Sequence, residues 1–325
     1  IFSNVIIVES SDCNDYGECS GEELNVKDRK QLLAQIELLR NRNKKLEELA
    51  AVLDSNKVVA AVPNSDSVTG PSYDVSRQDL ACAIITTKRY HKTKAAAAKQ
   101  AWGQFCGVVM YISADYDATL PTTVIENSEE GKIINKKVFG AFAEMWQQFG
   151  DKSNSKQKPK WFIKADDDTF MQLDNLASLL SRYNFNEHHY IGRAGEWHGV
   201  KYCGGGAGYV LSRALLRDWA PIINSCQRLP VGEDVSVGKC LHDKLNVVPS
   251  WHAGFYHRSP SFFLNTAMGR KDHPEGLSPR PISFHSLSPE EQYTLSYLLY
   301  DANGQLEIRS PLWKSDPWPR SIATH

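Results

Sequence analysis

The sequence contains no apolar run that approaches the roughly twenty residues of a membrane-spanning helix. Its first residues, IFSNVIIVESSDCNDYGECSG, become acidic too soon for a secretory signal peptide. A charge excess is also missing, because 37 basic and 38 acidic residues are interspersed and leave a formal net charge of −1. General electrostatic attraction to nucleic acid or to an anionic membrane is therefore disfavoured, and we expect no nucleic-acid partner.

Cysteine is scarce, and its seven residues are an odd number. None of their spacings is typical of a zinc finger. The local spacings suit three short-range disulfides and leave Cys203 over; the three pairs are Cys13 with Cys19, Cys82 with Cys106, and Cys226 with Cys240. The alternative is a set of buried free thiols in a cytosolic protein, but number and pairing favour disulfides.

A short leucine repeat occupies the amino-terminal part of the chain. Leucine recurs every seven residues in a background rich in Lys, Glu and Arg, at Leu32, Leu39, Leu46 and Leu53. Ile36, Asn43 and Ala50 lie at the alternating positions, and a single asparagine there favours a parallel two-stranded coil. A homodimer through this zipper and a lone amphipathic helix packed on the domain are equally favoured, because the repeat is short.

Composition divides the 325 residues into three parts. Residues 1–57 are predicted to form a stem with the short coiled coil, and residues 58–78, rich in Val, Ala, Pro, Ser, Asp and Gly, a linker. Residues 79–325 are predicted to form one folded domain, in which we see no second core.

The domain begins with apolar runs that alternate with helical stretches. LACAIITT, GVVMYIS and KWFIKA have the composition of buried strands, and AAAAKQAWG between the first two has that of a helix. This order predicts an α/β fold with a mostly parallel sheet. We predict further strands in HHYIG, GAGYVLS and LNVVPS, and helices in KVFGAFAEMWQQF and LDNLASLLSRY.

Three aspartates follow the strand predicted in WFIKADDDTF. Alternation along a strand lets Asp166 and Asp168 share a face while Asp167 turns aside. The carboxyl end of a strand is where open α/β sheets bind ligands. Close carboxylates repel one another, and a divalent cation is the simplest way to relieve that repulsion. The alternative makes Asp168 and Thr169 the cap of the next helix and leaves the other acids in solvent.

Three later stretches carry further candidates. YCGGGAGYVLS places Gly205 and Gly206 before a strand, where a ligand can approach the backbone closely, although a flexible turn is the alternative. GEDVSVGKCL offers Glu233 and Asp234 as a general base or as an N-terminal cap. His285 lies in an apolar segment, PISFHSLSPEEQ, where a histidine is more often a satisfied core residue than a ligand.

Taken together, FIKADDDTF, CGGGAGYVLS, GEDVSVGKCL and ISFHSLSPEEQYTLSYLLY resemble, in this order, the inverting β1,3-glycosyltransferases of glycosyltransferase family 31. The last motif is most similar to core 1 β1,3-galactosyltransferases, whereas IITTKRYHKTK looks more like Fringe. The resemblance implies a Rossmann-like GT-A fold, a UDP-sugar donor and Mn²⁺ as cofactor. It also implies a type II membrane protein of the Golgi, with the anchor upstream of this chain and the zipper as its stem.

The resemblance assigns roles to individual residues. Asp168 would be the main metal carboxylate, with Asp166 and Asp167 beside the nucleotide. Asp234 would deprotonate the acceptor hydroxyl. His285 would complete the metal site, so the resemblance favours a ligand over a core residue at this position. His257 of AGFYHRSP is the competing ligand.

The remaining assignments concern the substrates. Thr86 and Thr87, at the end of the first strand, would face the nucleotide, and Gly205 and Gly206 the substrate. The implied reaction moves a sugar, galactose in first place, from UDP to a glycan or glycoprotein hydroxyl, as in core 1 O-glycan synthesis. The loop RAGEWHGVKY and the segment 237–281 depart from that pattern, so a Fringe-like N-acetylglucosaminyltransferase and a non-catalytic glycan-binding or dimeric partner protein stay open.

Overall fold

The structure is a computed structural model that describes residues 72–125, 134–227, 229–272, 277–278 and 280–301. The predicted stem, its zipper, most of the linker and the Cys13–Cys19 pair lie outside the described residues. Within that part of the chain, no helix combines the length and the apolar character that crossing a bilayer requires.

The described chain forms a central sheet and two small antiparallel pairs. The central sheet has the strand order β10-β6-β9-β4-β1-β2-β3, and the pairs are β11-β5 and β7-β8. The strands are β1 (Leu80–Ile85), β2 (Val108–Ser113), β3 (Thr122–Val124), β4 (Trp161–Asp166), β5 (Phe170–Met171), β6 (Tyr190–Gly192), β7 (Ala194–Trp197), β8 (Val200–Cys203), β9 (Tyr209–Ser212), β10 (Ser250–Trp251) and β11 (Ser283–Phe284).

Helices cover the sheet and connect its strands. They are α1 (Ala96–Ala101), α2 (Ile134–Phe149), α3 (Leu173–Leu180), α4 (Arg213–Trp219), α5 (Glu233–Leu245), α6 (Pro260–Asn265), α7 (Ala267–Asp272) and α8 (Pro289–Ser296). Short 3₁₀ or π turns join some of them, including a π turn at His91–Ala95 directly before α1.

Most neighbouring strands of the central sheet run parallel, which confirms the predicted α/β fold class. β4, β1, β2 and β3 are mutually parallel, and β6 is parallel to β10. Strand β9 is the exception, because it lies antiparallel to both β4 and β6. Its first residue, Tyr209, consequently pairs with Lys164 near the end of β4. The loop before β9 and the turn after β4 therefore meet at one edge of the sheet.

The apolar pattern of the strands accounts for the core. Every residue of β1 is buried, as expected for a central strand covered by helices on both faces. Three fully buried aromatics, Phe139, Phe142 and Trp219, pack against one another where α2 meets α4. Edge-to-face and tilted contacts of this kind add to the free energy that apolar burial contributes.

Two predicted disulfides are present, Cys82–Cys106 and Cys226–Cys240, and Cys203 is a buried free thiol as expected. One local prediction is wrong, and the alternative interpretation of Asp168 and Thr169 as a helix cap does not hold. Only Ser250 of LNVVPS is in a strand, because Asn246 takes a left-handed conformation that ends α5 and Val248 is half exposed. The cap of α3 is Gln172, whose side chain accepts two backbone N–H groups of that helix.

Candidate functional site

The aspartate turn lies at the carboxyl end of β4 and is fixed through its backbone. The Asp167 N–H donates to the carbonyl of Ile85 on β1 at 3.0 Å. The Asp168 carbonyl accepts the Leu287 N–H at 3.1 Å, and the Asp167 carbonyl accepts from the side chain of Gln292 on α8 at 2.8 Å. The turn is thus held from β1 and from the segment after β11, which also supplies His285.

Asp166, Asp168 and His285 form a cluster in which one donor atom of each lies within 4.8 Å of the others. His285 Nε2 is 3.1 Å from Asp168 Oδ1 and 3.9 Å from Asp166 Oδ2. His285 Nδ1 lies 3.1 Å from the backbone carbonyl of His257, so this nitrogen carries the proton. Nε2 then faces the carboxylates: it donates to Asp168 when the ring is protonated, and it would offer its lone pair to a cation when the ring is neutral.

This donor set fits a divalent cation. Two carboxylates and one imidazole, oriented by a hydrogen bond from its other nitrogen to a carbonyl, are a common protein arrangement around such ions. Among the described residues the cluster consists of Asp166, Asp168 and His285, and His257 contributes its carbonyl to orient the ring. Asp166, assigned above to the nucleotide, thus lies within the cluster.

Asp168 and His285 shift each other's pKa in opposite directions. Burial alone would raise the pKa of Asp168, but hydrogen bonds from His285 and Lys94 more than offset it and bring the pKa to about 2. Burial alone would lower the pKa of His285, but its hydrogen bond to Asp168 and the nearby carboxylates raise it. Asp168 is therefore ionised across the physiological range.

Asp167 points away from the cluster. Its side chain is buried, and its Oδ2 accepts the hydroxyl proton of Thr86 at 2.7 Å. Burial raises the pKa of Asp167 to about 7, with the neighbouring aspartates acting in the same direction. Thr87, which follows Thr86, is half buried and precedes a short 3₁₀ turn, Lys88–Tyr90. The structure thus brings Thr86 to Asp167 and not to the cluster.

Lys94 also reaches the aspartates. Its Nζ is 2.8 Å from Asp168 Oδ2 and 4.7 Å from the ring centroid of Tyr90. It lies on the π turn before α1, and such turns are frequent at functional sites. Sequence reasoning missed Lys94, although KTK directly precedes the predicted helix.

The glycine-rich loop before β9 packs against the cluster. Thr169 donates to the Gly206 carbonyl at 2.8 Å, which ties this loop to the aspartate turn. A Cβ at position 206 would lie 2.5 to 2.9 Å from atoms of the His285 ring. A Cβ at position 205 would overlap the carboxylate of Glu233. Both glycines are required by close packing rather than by an unusual backbone conformation.

The two acids at the start of α5 have different surroundings. Glu233 is buried, and its carboxylate contacts Lys164 Nζ at 2.8 Å and accepts from the Tyr209 hydroxyl at 3.1 Å. Burial raises the pKa of Glu233 to about 7 although Lys164 acts in the opposite direction. Asp234 is half buried and accepts the Gly205 N–H at 2.9 Å. Of the two acids, Asp234 is the one that faces open space.

That open space is a cavity of about 460 Å³ beside the cluster. Asp234 and His285 both line it, together with Arg193, Tyr202, His257 and Arg258. Tyr202 belongs to the β7–β8 hairpin, which packs on α5 so closely that a Cβ at Gly238 would meet the Tyr202 side chain. The Asp234 carboxylate and one member of the cation cluster, His285, thus share one cavity.

Lys164 is the second residue that the sequence analysis missed. It is the single charged residue within the apolar run of β4 and lies two positions before Asp166, hence on the same face of the strand. Its Nζ is 2.8 Å from Asp166 Oδ1. A lysine in an otherwise apolar buried strand is a signal that it pairs with an acid, but the sequence does not indicate which acid.

Comparison with known proteins relates this site to characterised sequences. The sequence model of the Fringe-like family matches residues 75–303. Glycoprotein-N-acetylgalactosamine 3-beta-galactosyltransferase 1 of Xenopus laevis is 29% identical over 264 residues, which cover 74% of this chain and 70% of that protein. Human chondroitin sulfate glucuronyltransferase is 29% identical over 240 residues, covering 72% of this chain but only 30% of the relative. The lunatic fringe beta-1,3-N-acetylglucosaminyltransferase of Xenopus laevis is 25% identical over 219 residues, covering 58% and 55%.

Proposed function

The chain belongs to the Fringe-like family and is a glycosyltransferase of family 31, and on that premise we propose that it is an inverting β1,3-galactosyltransferase that uses a UDP-sugar. Its acceptor would be a hydroxyl of a glycan or glycoprotein. The α/β sheet and the family agree with the predicted GT-A fold.

One observation supports the proposal above all others: His285, a member of the cluster with Asp166 and Asp168, lines the same cavity as Asp234. Transfer of a sugar from a nucleotide needs a group that stabilises the departing diphosphate and a base for the incoming hydroxyl. The cluster would meet the first requirement and Asp234 the second, and His285 and Asp234 line the same cavity.

Asp234 is the proposed base. Its Oδ2 is oriented by the Gly205 N–H, and its half-exposed carboxylate borders the cavity in which the acceptor hydroxyl would lie. Attack of that hydroxyl on the anomeric carbon, with the proton passing to Asp234 and the bond to the diphosphate breaking, inverts the anomeric centre in one displacement. Glu233 cannot take this part in the same conformation, because it is buried against Lys164 and Tyr209.

The cluster is the proposed cation site, and Mn²⁺ is its proposed occupant. Asp166, Asp168 and His285 would hold the ion, which when bound supplies Lewis-acid stabilisation of the negative charge on the diphosphate. Thr86 and Asp167, hydrogen-bonded to each other beside this cluster, are the proposed nucleotide contacts along with Thr87. Gly205 and Gly206 line the cavity and are the proposed substrate contacts.

Galactose is proposed as the donor sugar because the galactosyltransferase relative aligns over most of both chains. A second candidate is Fringe-like transfer of N-acetylglucosamine, favoured by the family model and by the lunatic fringe relative. The donor sugar separates these candidates, since both reactions would use the same cation site and the same base.

We further propose the Golgi lumen as the compartment. The disulfides Cys82–Cys106 and Cys226–Cys240 support an oxidising environment. Attachment as a type II membrane protein and dimerisation through the zipper at 32–53 remain predictions from the sequence.

A UDP-release assay with Mn²⁺ tests the proposal. The chain is incubated with each UDP-sugar in turn, with simple α-GalNAc and α-fucose glycosides as acceptors and with EDTA as the metal-free control. Acceptor-dependent release from UDP-galactose with α-GalNAc is the expected result. Release from UDP-N-acetylglucosamine with α-fucose would establish the second candidate, and glycan binding without any release would establish a non-catalytic protein.

A further inference from the structure

Lys164 is wholly buried within β4 and contacts three different parts of the site. Its Nζ lies 2.8 Å from Asp166 Oδ1, 2.8 Å from Glu233 Oε1 and 3.0 Å from the Gly205 carbonyl, to which it donates. Only 1% of its side chain is exposed. The lysine therefore cannot contact the substrate directly, and its hydrogen bonds are made to residues of the site.

Gly205 connects this lysine to the proposed base. The carbonyl of Gly205 accepts from Lys164, and its N–H donates to Asp234 Oδ2 at 2.9 Å. The glycine has no room to move toward Glu233, since even a Cβ would overlap that carboxylate. Displacement of the Lys164 ammonium would thus be transmitted to the Asp234 carboxylate through a single residue.

The same ammonium also contacts the cation cluster. Asp166 is one of its three members and pairs with Lys164 through Oδ1, while its Oδ2 faces His285. Lys164 is consequently bonded to the cation side of the cavity through Asp166 and to the base side through Gly205.

A contribution to stability does not by itself account for the buried ion pair between Lys164 and Glu233. Replacing a buried ion pair by uncharged residues is often neutral or stabilising, whereas removing one partner leaves an uncompensated buried charge. Glu233 has a second partner in the Tyr209 hydroxyl, so its carboxylate is held in place on both sides. Lys164 and Glu233 thus hold neighbouring groups in place, although burying their charges costs desolvation free energy.

We propose that Lys164 is a positioning residue that sets the separation between the cation cluster and Asp234, with Glu233 as its buried counter-ion. This inference rests on the proposed function and deepens it. Lys164 would take no part in binding the nucleotide, and its loss would lower the rate of transfer with little effect on the affinity for UDP.

The test compares Lys164→Met, Glu233→Gln and the double variant Lys164→Met/Glu233→Gln. Lys164→Met leaves Glu233 buried without its cation, and we expect a clear loss of thermal stability. The double variant contains no unpaired charge at position 233, and its glutamine still accepts the Tyr209 hydroxyl, so its Tm is expected to return close to that of the wild type. Despite that recovery, its kcat is expected to fall about 10²-fold, the effect of a misplacement of about 1 Å at a catalytic group.

Two further measurements distinguish positioning from folding. Calorimetric UDP affinity in the presence of Mn²⁺ is expected to stay within about threefold of the wild-type value in the double variant. Glu233→Gln, which retains the bond from Lys164 to Gly205, is expected to keep at least about a third of kcat. Lys160→Met, at the opposite end of β4 in an ion pair with Asp79, is the matched control and should leave kcat unchanged.

A double variant that regains both Tm and kcat would overturn the inference and leave the proposed function intact. An equal loss of kcat in Glu233→Gln would also overturn it, because the glutamate rather than the lysine would then set the geometry. A wild-type chain that transfers no sugar from any UDP donor would instead overturn the proposed function, and this inference with it.

Discussion

Gly206 lies directly against the ring of His285, and a single methyl group on its Cα would lie 2.5 Å from ring Cε1 and 2.6 Å from Nδ1. Side-chain carbons do not approach other atoms this closely, so the ring would have to move. Gly204, two residues earlier, has only the Arg193 carbonyl at 3.8 Å from the same hypothetical position. One loop thus contains a glycine that the cluster requires and one that it does not.

We expect Gly206→Ala to weaken cation binding because it displaces His285 from Asp166 and Asp168. The measure is the calorimetric affinity for Mn²⁺ with UDP, which should fall about tenfold or more, equivalent to about 1.4 kcal/mol. Gly204→Ala is the control and should bind as the wild type does. Equal affinities in the two variants would show that His285 is not a ligand.

Asp168→Asn should reduce metal-dependent UDP binding more strongly. The substitution removes the charge of a carboxylate whose pKa is held at about 2 despite burial, and it leaves Lys94 and His285 without their shared anion. Calorimetry with Mn²⁺ and then with EDTA separates the metal-dependent part of the affinity. Asp151→Asn, an exposed aspartate paired with Arg213, is the control, and an Asp168→Asn protein that binds equally well would contradict the cation assignment.

Asp234→Asn should separate binding from transfer. Asparagine retains an oxygen that accepts the Gly205 N–H, so the loop geometry is preserved while the ability to take a proton is lost. We expect UDP affinity within about twofold of the wild type and a rate of transfer about 10² to 10⁴ times lower, the usual contribution of a general base. Undiminished turnover would move the role to another residue.

Acid sensitivity of the fold should depend on His252. Burial, assisted by the charge of Arg182, lowers the pKa of this histidine to about 3, and its Nδ1 accepts the Gly254 N–H. Because the unfolded chain binds this proton near pH 6.5 and the folded chain does not, the stabilisation is present above pH 6.5 and is lost as the pH falls toward 3.

The resulting slope is at most about 1.4 kcal/mol of unfolding free energy for each pH unit. Urea denaturation at several pH values between 7 and 4 measures it. His252→Asn, whose amide oxygen replaces the Nδ1 acceptor, should lose stability less steeply over that interval. Parallel slopes for the two proteins would assign the acid sensitivity to other groups.

Local patterns predicted much of this architecture. LACAIITT, KWFIKA and GAGYVLS are short, largely apolar runs, and each contains a strand of the central sheet, because burial on both faces favours apolar side chains. The separation of the three aspartates was also predictable, since Asp166 and Asp168 face His285 while Asp167 turns to Thr86. The meeting of Asp168 with His285, 117 positions away, came from the family resemblance and not from spacing.

The rest depends on contacts between distant segments. Lys94 and Lys164 reach the aspartates from a turn and from a strand interior, and no periodicity marks a cation that will be buried against a particular acid. The β7–β8 hairpin was also missed, because most of its residues are exposed or half buried and lack the apolar alternation of a core strand. Glu233 and Asp234 are neighbours in sequence, and only packing determines which of them faces the cavity.

The reversed direction of β9 has a consequence for how such a protein can diversify. The chain leaves the central sheet after β6, forms the β7–β8 hairpin and rejoins the sheet at Tyr209. The hairpin is therefore an insertion between β6 and β9, which pair with each other. Its exposed side chains can change without shifting the register in which β9 pairs with β4 and β6. The part of the cavity wall that the hairpin contributes can therefore vary among relatives while the aspartate turn and the cluster with His285 stay unchanged.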